Sequence, residues 1–450
     1  MKETVVLHPA SGCHQIVSMV ELAKLIVLHQ PSFSIIILIP TLPSNTNPIF
    51  SYINEISQTN LPISFFSLPR LPFPYSNQDS NKTQYRASNI FESIRLSSSH
   101  VLDALQKISI TSTILALVTS TVLLNFDTHI PIYHYFTSCA SAVALFLYLP
   151  TIHNQITKSF KDLGNTLLHF PGLPPICASY MPQPVLNRDD PGYHYFLDFA
   201  DCLSKSKGVI VNTFDLLEQR ATKVIVDGAC LPNQATPPIF CIGPLISSVK
   251  DYAGASFDEP SNSSVWRLLF GLERSNQKFL WVLKNPINVG TEPNLEELLP
   301  EGFLERAKEK GVVVKSWAPQ NAILSHKSVG GFVTHCGWNS VLEAVSYGVP
   351  MVAWPLYAEQ HMNSVVLVEE MKLAIPISNA ITLVDSKEGE KGLVGAEEVK
   401  KRVKQLMELE DGKILRQRSL EMKVMAKAVW SSGGSSSTAF SQLLGSWMHE

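Results

Sequence analysis

The sequence predicts an α/β protein made of two doubly wound domains with parallel sheets. Three observations carry this. The chain has 450 residues, 45% of them apolar, enough for two cores, because a single core stops growing at about 250–300 residues. Short apolar runs rich in β-branched residues alternate with stretches at helical spacing, the pattern of parallel strands joined by crossover helices. A polar stretch, residues 245–263, rich in Ser and Asp, reads as a linker between the two series.

In the first domain, residues 1–244, strands are expected at Thr4–Leu7, Ser34–Ile39, Ile63–Phe66, Ile114–Val118, Ile130–Phe136 and Gly208–Asn212. Ile239–Ile242, with Gly243-Pro244 behind it, is the last of them. Helices are expected over Ile16–His29, from Ala140, and over Asp215–Val226. The second domain, residues 264–437, has strands at Phe279–Leu283, Val312–Lys315, Gly331–Thr334, Met351–Trp354 and Ala374–Ile377. Its opening, Ser264–Gly271, has two readings: a strand with its helix nearly lost, or a short helix marked by Val265, Leu268, Leu269 and Leu272 with the strand gone. Arg267 sits badly in a central strand, which must be apolar on both faces, and this favours the helix. Ser431–Ser437 reads as a flexible joint, and residues 438–450, apolar over Ala439–Trp447, as a terminal helix.

A net charge of −3 leaves no electrostatic footprint for nucleic acid or an anionic membrane. Seven scattered cysteines without paired ligand spacing point to a reducing compartment and to no metal site. Met1-Lys2-Glu3 leads straight into a strand without a secretory pattern, and the longest apolar run, Ala140–Leu149, is too short to span a bilayer. A cytoplasmic, monomeric enzyme without membrane insertion is expected. No GxGxxG follows any strand, which makes a dinucleotide oxidoreductase a poor rival.

The chemistry concentrates between Trp317 and Gln360. The strand Gly331–Thr334 turns through His335-Cys336-Gly337-Trp338-Asn339-Ser340 into a helix pattern from Val341. A strand that turns through glycine into a helix aims free N–H groups and the positive helix end at one point, which suits a phosphate. Asn339 and Ser340 can cap that helix or donate to the phosphate, and His335 can donate as well. Trp317 supplies a flat face for a base, while Glu343, Glu359 and Gln360 supply acceptors for hydroxyls. Phosphate, ring and polyol together describe a sugar nucleotide.

This block resembles, in order and spacing, the signature of plant family-1 UDP-glycosyltransferases. VSMVELAKLI, FPGLPP, GVIVNTFDLLEQRA, PPIFCIGPLI and FLWVLKNP extend the resemblance over most of the chain, toward the branch that glucosylates flavonoids, chalcones and anthocyanidins. The resemblance implies a GT-B fold, two Rossmann-like domains facing a cleft, with the acceptor in the first, UDP in the second and the terminal helix packed back on the first. It also implies roles. Trp317 would stack on uracil, with Ala318 and Gln320 reading its edge. His335, Asn339 and Ser340 would hold the diphosphate, Glu343 the ribose, and Glu359 and Gln360 the sugar hydroxyls. Trp338 would contact the sugar nucleotide through its backbone. Many members carry Asp where Glu359 stands, and both are acceptors. Thr137 falls where relatives contact the sugar, and it equally suits a cap for the helix behind it. The implied reaction is a single inverting displacement, with UDP-glucose as co-substrate, a small phenolic as acceptor and no further cofactor.

Three departures from the family stand out. Gln15 occupies the place of the general base and His14 the glycine before it; an amide cannot take a proton. His14 could substitute only through a local bulge, since one residue turns a helical side chain by about 100°. Ser120 stands where relatives place the aspartate that orients the base, and Asp127 reads as a turn residue. The strand–loop–helix that opens the second domain in relatives is cut short, which puts Leu272 at the place of a loop serine. The alternative to an active glucosyltransferase is therefore a relative that keeps the UDP-sugar signature without the His–Asp dyad.

Overall fold

A computed structural model describes residues 1–10, 12–39, 47–69, 94, 96–123, 128–246, 262–283, 294–377 and 394–448. Asp127 and most of the polar stretch 245–263 lie outside the described residues. The chain divides into two compact units, Met1–Ser247 with Ala428–Glu450, and Ser248–Lys427.

Unit 1 runs β1 (Lys2–His8), α1 (Cys13–His29), β2 (Ser34–Ile39), α2 (Asn47–Ser57), β3 (Ile63–Ser67), α3 (Ser98–Ser109), β4 (Ser112–Thr119), β5 (Ile132–Phe136) and α4 (Ala140–Gln155). A small antiparallel pair, β6 (Leu167–Leu168) and β7 (Ile176–Cys177), precedes α5 (Pro191–Lys205), β8 (Gly208–Val211), α6 (Gln219–Val226) and β9 (Ile239–Cys241). Seven of these strands form one parallel sheet in the order β3-β2-β1-β4-β5-β8-β9. The runs that build it are apolar on both faces, so helices must cover both sides. From β1 the chain winds outward through β2 and β3; from β4 it winds the other way. The order therefore reverses between β1 and β4, and in open α/β sheets ligands bind outside the strand ends at such a point.

Two expectations for unit 1 need correction. The helix expected from Asp215 starts at Gln219, because the buried Glu218 turns its carboxylate to the start of α4. There it accepts from the Ala140 N–H (2.8 Å), the Ser141 N–H (2.9 Å) and the Ser141 hydroxyl (2.8 Å). Nor is Ser431–Ser437 a joint throughout. Helix formation resumes at Ser435, and the buried Ser436 hydroxyl donates to the Gly243 carbonyl at 2.6 Å. This last helix (Ser435–Met448) packs on unit 1, where Trp447 meets the Tyr133 ring edge-on and Ser446 bonds its hydroxyl at 2.9 Å.

Unit 2 opens with α7 (Asn262–Ser275), which decides between the two readings of its start in favour of the helix. Leu269 and Leu272 are buried, Arg267 is half-buried, and Gly271 lies so close to α13 (Ala396–Glu408) that a Cβ there would stand 2.4 Å from the Val399 Cβ. β10 (Phe279–Leu283), α8 (Leu295–Leu298), α9 (Phe303–Ala307), β11 (Gly311–Lys315), α10 (Gln320–Ser325), β12 (Phe332–Thr334), α11 (Trp338–Tyr347), β13 (Met351–Ala353), α12 (Gln360–Val365) and β14 (Ala374–Pro376) follow. Behind α13, α14 spans Glu410–Ala428.

The second series of strands does not make one sheet among the described residues. β10 pairs with β11, and β12-β13-β14 stand apart as a separate parallel sheet. Residues 262–275, which on the strand reading would supply another strand here, are helical. One face of the β10–β11 pair is covered: Trp281 and Leu283 pack with Leu269, Leu298, Leu299, Phe303 and Ala307. On the other face the register partners Leu280 and Val312 are 45% and 57% exposed, unlike the interior of a two-sided parallel sheet. Loss of packed apolar cover destabilises by several kcal/mol in the strongest cases. Limited proteolysis is therefore expected to cut unit 2 before unit 1; equal rates in the two would contradict this.

Among the described residues no helix is long and apolar enough to cross a membrane. Nor does any group of three or more His, Cys, Asp or Glu there have a geometry that could hold a metal ion.

Candidate active site

In unit 2 the site residues stand on loops at the C-terminal ends of β11, β12 and β13. Each loop carries one non-glycine residue in the left-handed region: Ser316 (φ 62), Cys336 (φ 66) and Ala358 (φ 53). Such conformations cost energy and persist where surrounding bonds impose them. Here the Ser316 N–H donates to the Leu283 carbonyl at 2.8 Å. The Cys336 N–H donates to the Thr334 hydroxyl (3.1 Å), and the Asn363 amide donates to the Cys336 carbonyl (3.0 Å). The three kinks present Trp317, the start of α11 and Glu359.

Helix α11 begins behind Gly337, an N-cap residue with no side chain to turn onto the first-turn N–H groups, and a helix start of this kind suits an anion. Asn339 is exposed there and caps nothing. The His335 ring folds over Gly337 so closely that a Cβ at that glycine would stand 2.3 Å from its Nε2. Glycine at this position leaves room for the ring, which would have to swing away from any Cβ. Gln320, on α10, donates to the Ser340 hydroxyl (3.0 Å) and to the Glu343 carboxylate (2.6 Å), which ties α10 to α11. Burial pushes the Glu343 carboxyl above its ordinary range, and the Gln320 bond offsets part of the rise. Ala318 and Trp338 are buried, whereas Trp317 and Glu359 are half-buried. Gln360 is buried, and its amide oxygen accepts from the Leu356 N–H (2.9 Å) and the Tyr357 N–H (3.0 Å). Its NH2 group is what remains to offer. His326 ends α10 as its C-cap, and His361 is buried.

In unit 1 a second group of residues gathers at the switch between β1 and β4. α1 starts at Cys13 as a regular helix, with the Gln15 and Ile16 N–H groups both on the Gly12 carbonyl. No bulge carries His14 to the place of Gln15. The Thr137 hydroxyl, behind β5, donates to the Gln15 amide oxygen at 3.1 Å, and the Gln15 nitrogen lies 3.4 Å from His14 Nε2. Thr137 is therefore no helix cap: Cys139 holds that position on α4, its sulfur accepting from the Ala142 N–H. Ser120 follows β4; its N–H donates to the His8 carbonyl at 2.9 Å, and its buried hydroxyl meets no partner. The His14 side chain is exposed to solvent, and desolvation by the protein packed around it lowers its pKa from the ordinary value.

Sequence reasoning did not single out the polar row behind this site. His8, Thr119 and His134 are register partners across β1, β4 and β5. His8 Nδ1 bonds the hydroxyls of Thr119 (3.1 Å) and Thr121 (3.2 Å). Neither His134 nitrogen makes a hydrogen bond of normal geometry, although the Thr121 backbone is near enough to offset part of its shift. Burial pushes both imidazoles down to about 4. A lone histidine inside an apolar strand was the available signal at each position.

Comparison with known proteins adds the lineage of this arrangement. Residues 254–412 match the family described as UDP-glucoronosyl and UDP-glucosyl transferase. Over 99% of each chain, 43% of residues are identical to those of UDP-glycosyltransferase 88B1 of Stevia rebaudiana. The anthocyanidin 5,3-O-glucosyltransferase of a Rosa hybrid cultivar is 41% identical over 99% of each chain. A phloretin 2'-O-glucosyltransferase of Malus domestica is 41% identical over 97% of this chain and 98% of its own. Phytolacca americana UGT2, solved with UDP-2fluoro-glucose and pterostilbene, superposes with a TM-score of 0.84 at 30% identity, over 99% of this chain and 100% of that one.

Proposed function

Because the chain belongs to the plant UDP-glycosyltransferases, we propose that it transfers glucose from UDP-glucose to a flavonoid-type or anthocyanidin phenolic hydroxyl, with inversion at the anomeric carbon. The observation that carries the donor half is the glycine turn into the start of α11, flanked by the Gln320–Ser340–Glu343 cluster. Its N–H groups, with His335, Asn339 and Ser340, would receive the diphosphate. Trp317 would stack on the uracil, with Ala318 and Gln320 at the edge of the base. Glu343 would accept from ribose hydroxyls, Glu359 from the glucose, and Gln360 would donate through its NH2 group. Trp338 would add a backbone contact. The acceptor half rests on unit 1, where Thr137 and Gln15 lie at the sheet's switch point, and on relatives named for anthocyanidin and phloretin.

The direct assay incubates the purified protein with UDP-glucose and a panel of flavonoids, chalcones and anthocyanidins, and follows UDP release and the glucoside. Glucoside formation with at least one phenol is expected. UDP binding without transfer to any phenol would overturn the reading and leave a non-catalytic relative. Trp317→Ala is expected to weaken UDP binding by about 1–3 kcal/mol, the usual cost of losing an aromatic stacking partner for a base. Calorimetry on both proteins checks this, and unchanged affinity would remove Trp317 from the site.

A further inference from the structure

Within that reading of the site, we propose that Gln15, oriented by Thr137, positions the acceptor, and that the acceptor reacts as a phenolate formed before transfer rather than through a general base. The Thr137 hydroxyl donates to Gln15 Oε1. The other end is an NH2 group, a pure donor. The Ser120 hydroxyl, behind β4, is buried and without a partner, and a hydroxyl is no base at neutral pH either. A neutral phenol being deprotonated needs an acceptor for its hydrogen; an oxygen that is already an anion needs donors. The Gln15 NH2 group is such a donor, and neither side chain can take up the proton.

The base-capable group nearest to them is His14, and its Nε2 faces the Gln15 NH2 group. Among the described residues no carboxylate bonds its ring to raise its basicity. Titratable groups on the neighbouring elements are engaged elsewhere. Glu21 is paired with Lys24 at 2.9 Å, Tyr135 bonds the Ser18 hydroxyl at 2.8 Å, and Glu218 is held by three donors at α4. His8 and His134 are buried behind the sheet end.

The step balances without a base. The acceptor loses its proton to water first. A lone pair of the phenolate oxygen then forms the bond to the anomeric carbon, and the bond from that carbon to the diphosphate oxygen breaks. UDP leaves with the electron pair. Reactive acceptors are then phenols acidic enough to ionise near neutral pH. At pH 7 a phenol with a pKa of about 10 is ionised to roughly one part in a thousand, and one with a pKa of about 7 is half ionised. Aliphatic alcohols are excluded.

The test is the pH dependence of kcat/KM for a series of phenols of graded acidity, with UDP-glucose saturating. The expected profile rises tenfold per pH unit and levels off at each acceptor's own pKa. Gln15→Ala and Thr137→Val should raise KM for the acceptor without moving the break, and Thr137→Ser should restore it. Gln15→His should add a base, raising the rate on weak phenols by about 10²–10⁴-fold and fixing the break at one pH for all of them. A wild-type break at one pH for every phenol, lost in His14→Ala, would overturn the proposal and make His14 the working base, while leaving the glucosyltransferase reading intact. No transfer to any phenol at any pH, with UDP binding intact, would remove both.

Discussion

Glu218→Ala is expected to destabilise unit 1 by about 3–5 kcal/mol, the range found when one partner of a buried charged arrangement is removed. That is a large share of the roughly 5–15 kcal/mol that holds a domain folded. The carboxylate is buried and takes the first two N–H groups of α4 together with the Ser141 hydroxyl. Alanine would leave three buried donors without an acceptor, each costing about 1–3 kcal/mol, and would also remove a negative charge from a helix N-terminus. The helix it caps is buried from Ala140 to Leu147 and packs against α5 through Phe146 and Phe196, whose rings stack 4.8 Å apart. Glu218→Gln keeps an accepting oxygen and should lose less. Urea denaturation followed by circular dichroism measures both, and an alanine variant within about 1 kcal/mol of wild type would show that water replaces the carboxylate.

Acid should unfold this protein early, through its buried histidines. His8, His134 and His361 are each held at about 4 by burial, against an ordinary 6.5. Below pH 6.5 the unfolded chain protonates these rings while the folded chain still holds them neutral. The unfolded state then binds more protons, so stability is fully present above about 6.5 and falls as pH drops toward 4. Each ring contributes at most about 3.4 kcal/mol to that fall, at about 1.4 kcal/mol per pH unit. His134→Phe isolates one contribution. Its ring already meets Phe199 edge-on, and neither nitrogen makes a hydrogen bond of normal geometry. The variant should therefore match wild type at pH 7.5 and lose less stability by pH 5. The same loss in both proteins would place the acid sensitivity elsewhere.

The fold was most legible where a strand is an uninterrupted apolar run with turn residues at its ends. β2 and β10 fall on the residues expected for them, Ser34–Ile39 and Phe279–Leu283. Helix starts were less legible. α1 begins three residues ahead of its apolar pattern, and α6 four residues late, because Glu218 serves a helix 78 positions away. The break between the β10–β11 pair and the β12–β13–β14 sheet was not legible as a pairing. Periodicity shows that a segment suits a sheet, and not which edge it joins.

For the site, the local chemistry from Trp317 to Gln360 is a property of consecutive residues. A glycine turn into a helix exposes N–H groups wherever it occurs, and the indole, carboxylates and amide around it follow from identity and spacing. The sequence by itself thus determined the fold class and the side-chain types offered between Trp317 and Gln360, together with the absence of a basic side chain at position 15. Only the tertiary structure decided what replaces it. Thr137 suits a helix cap and a ligand contact equally well in sequence, and its hydroxyl reaches Gln15 across 122 positions. In the same way Gln360 turns out to brace its own loop through its oxygen. Residue types bound what a group can donate or accept, and the partner that takes up that capacity is set by which distant segments the fold brings within about 3 Å.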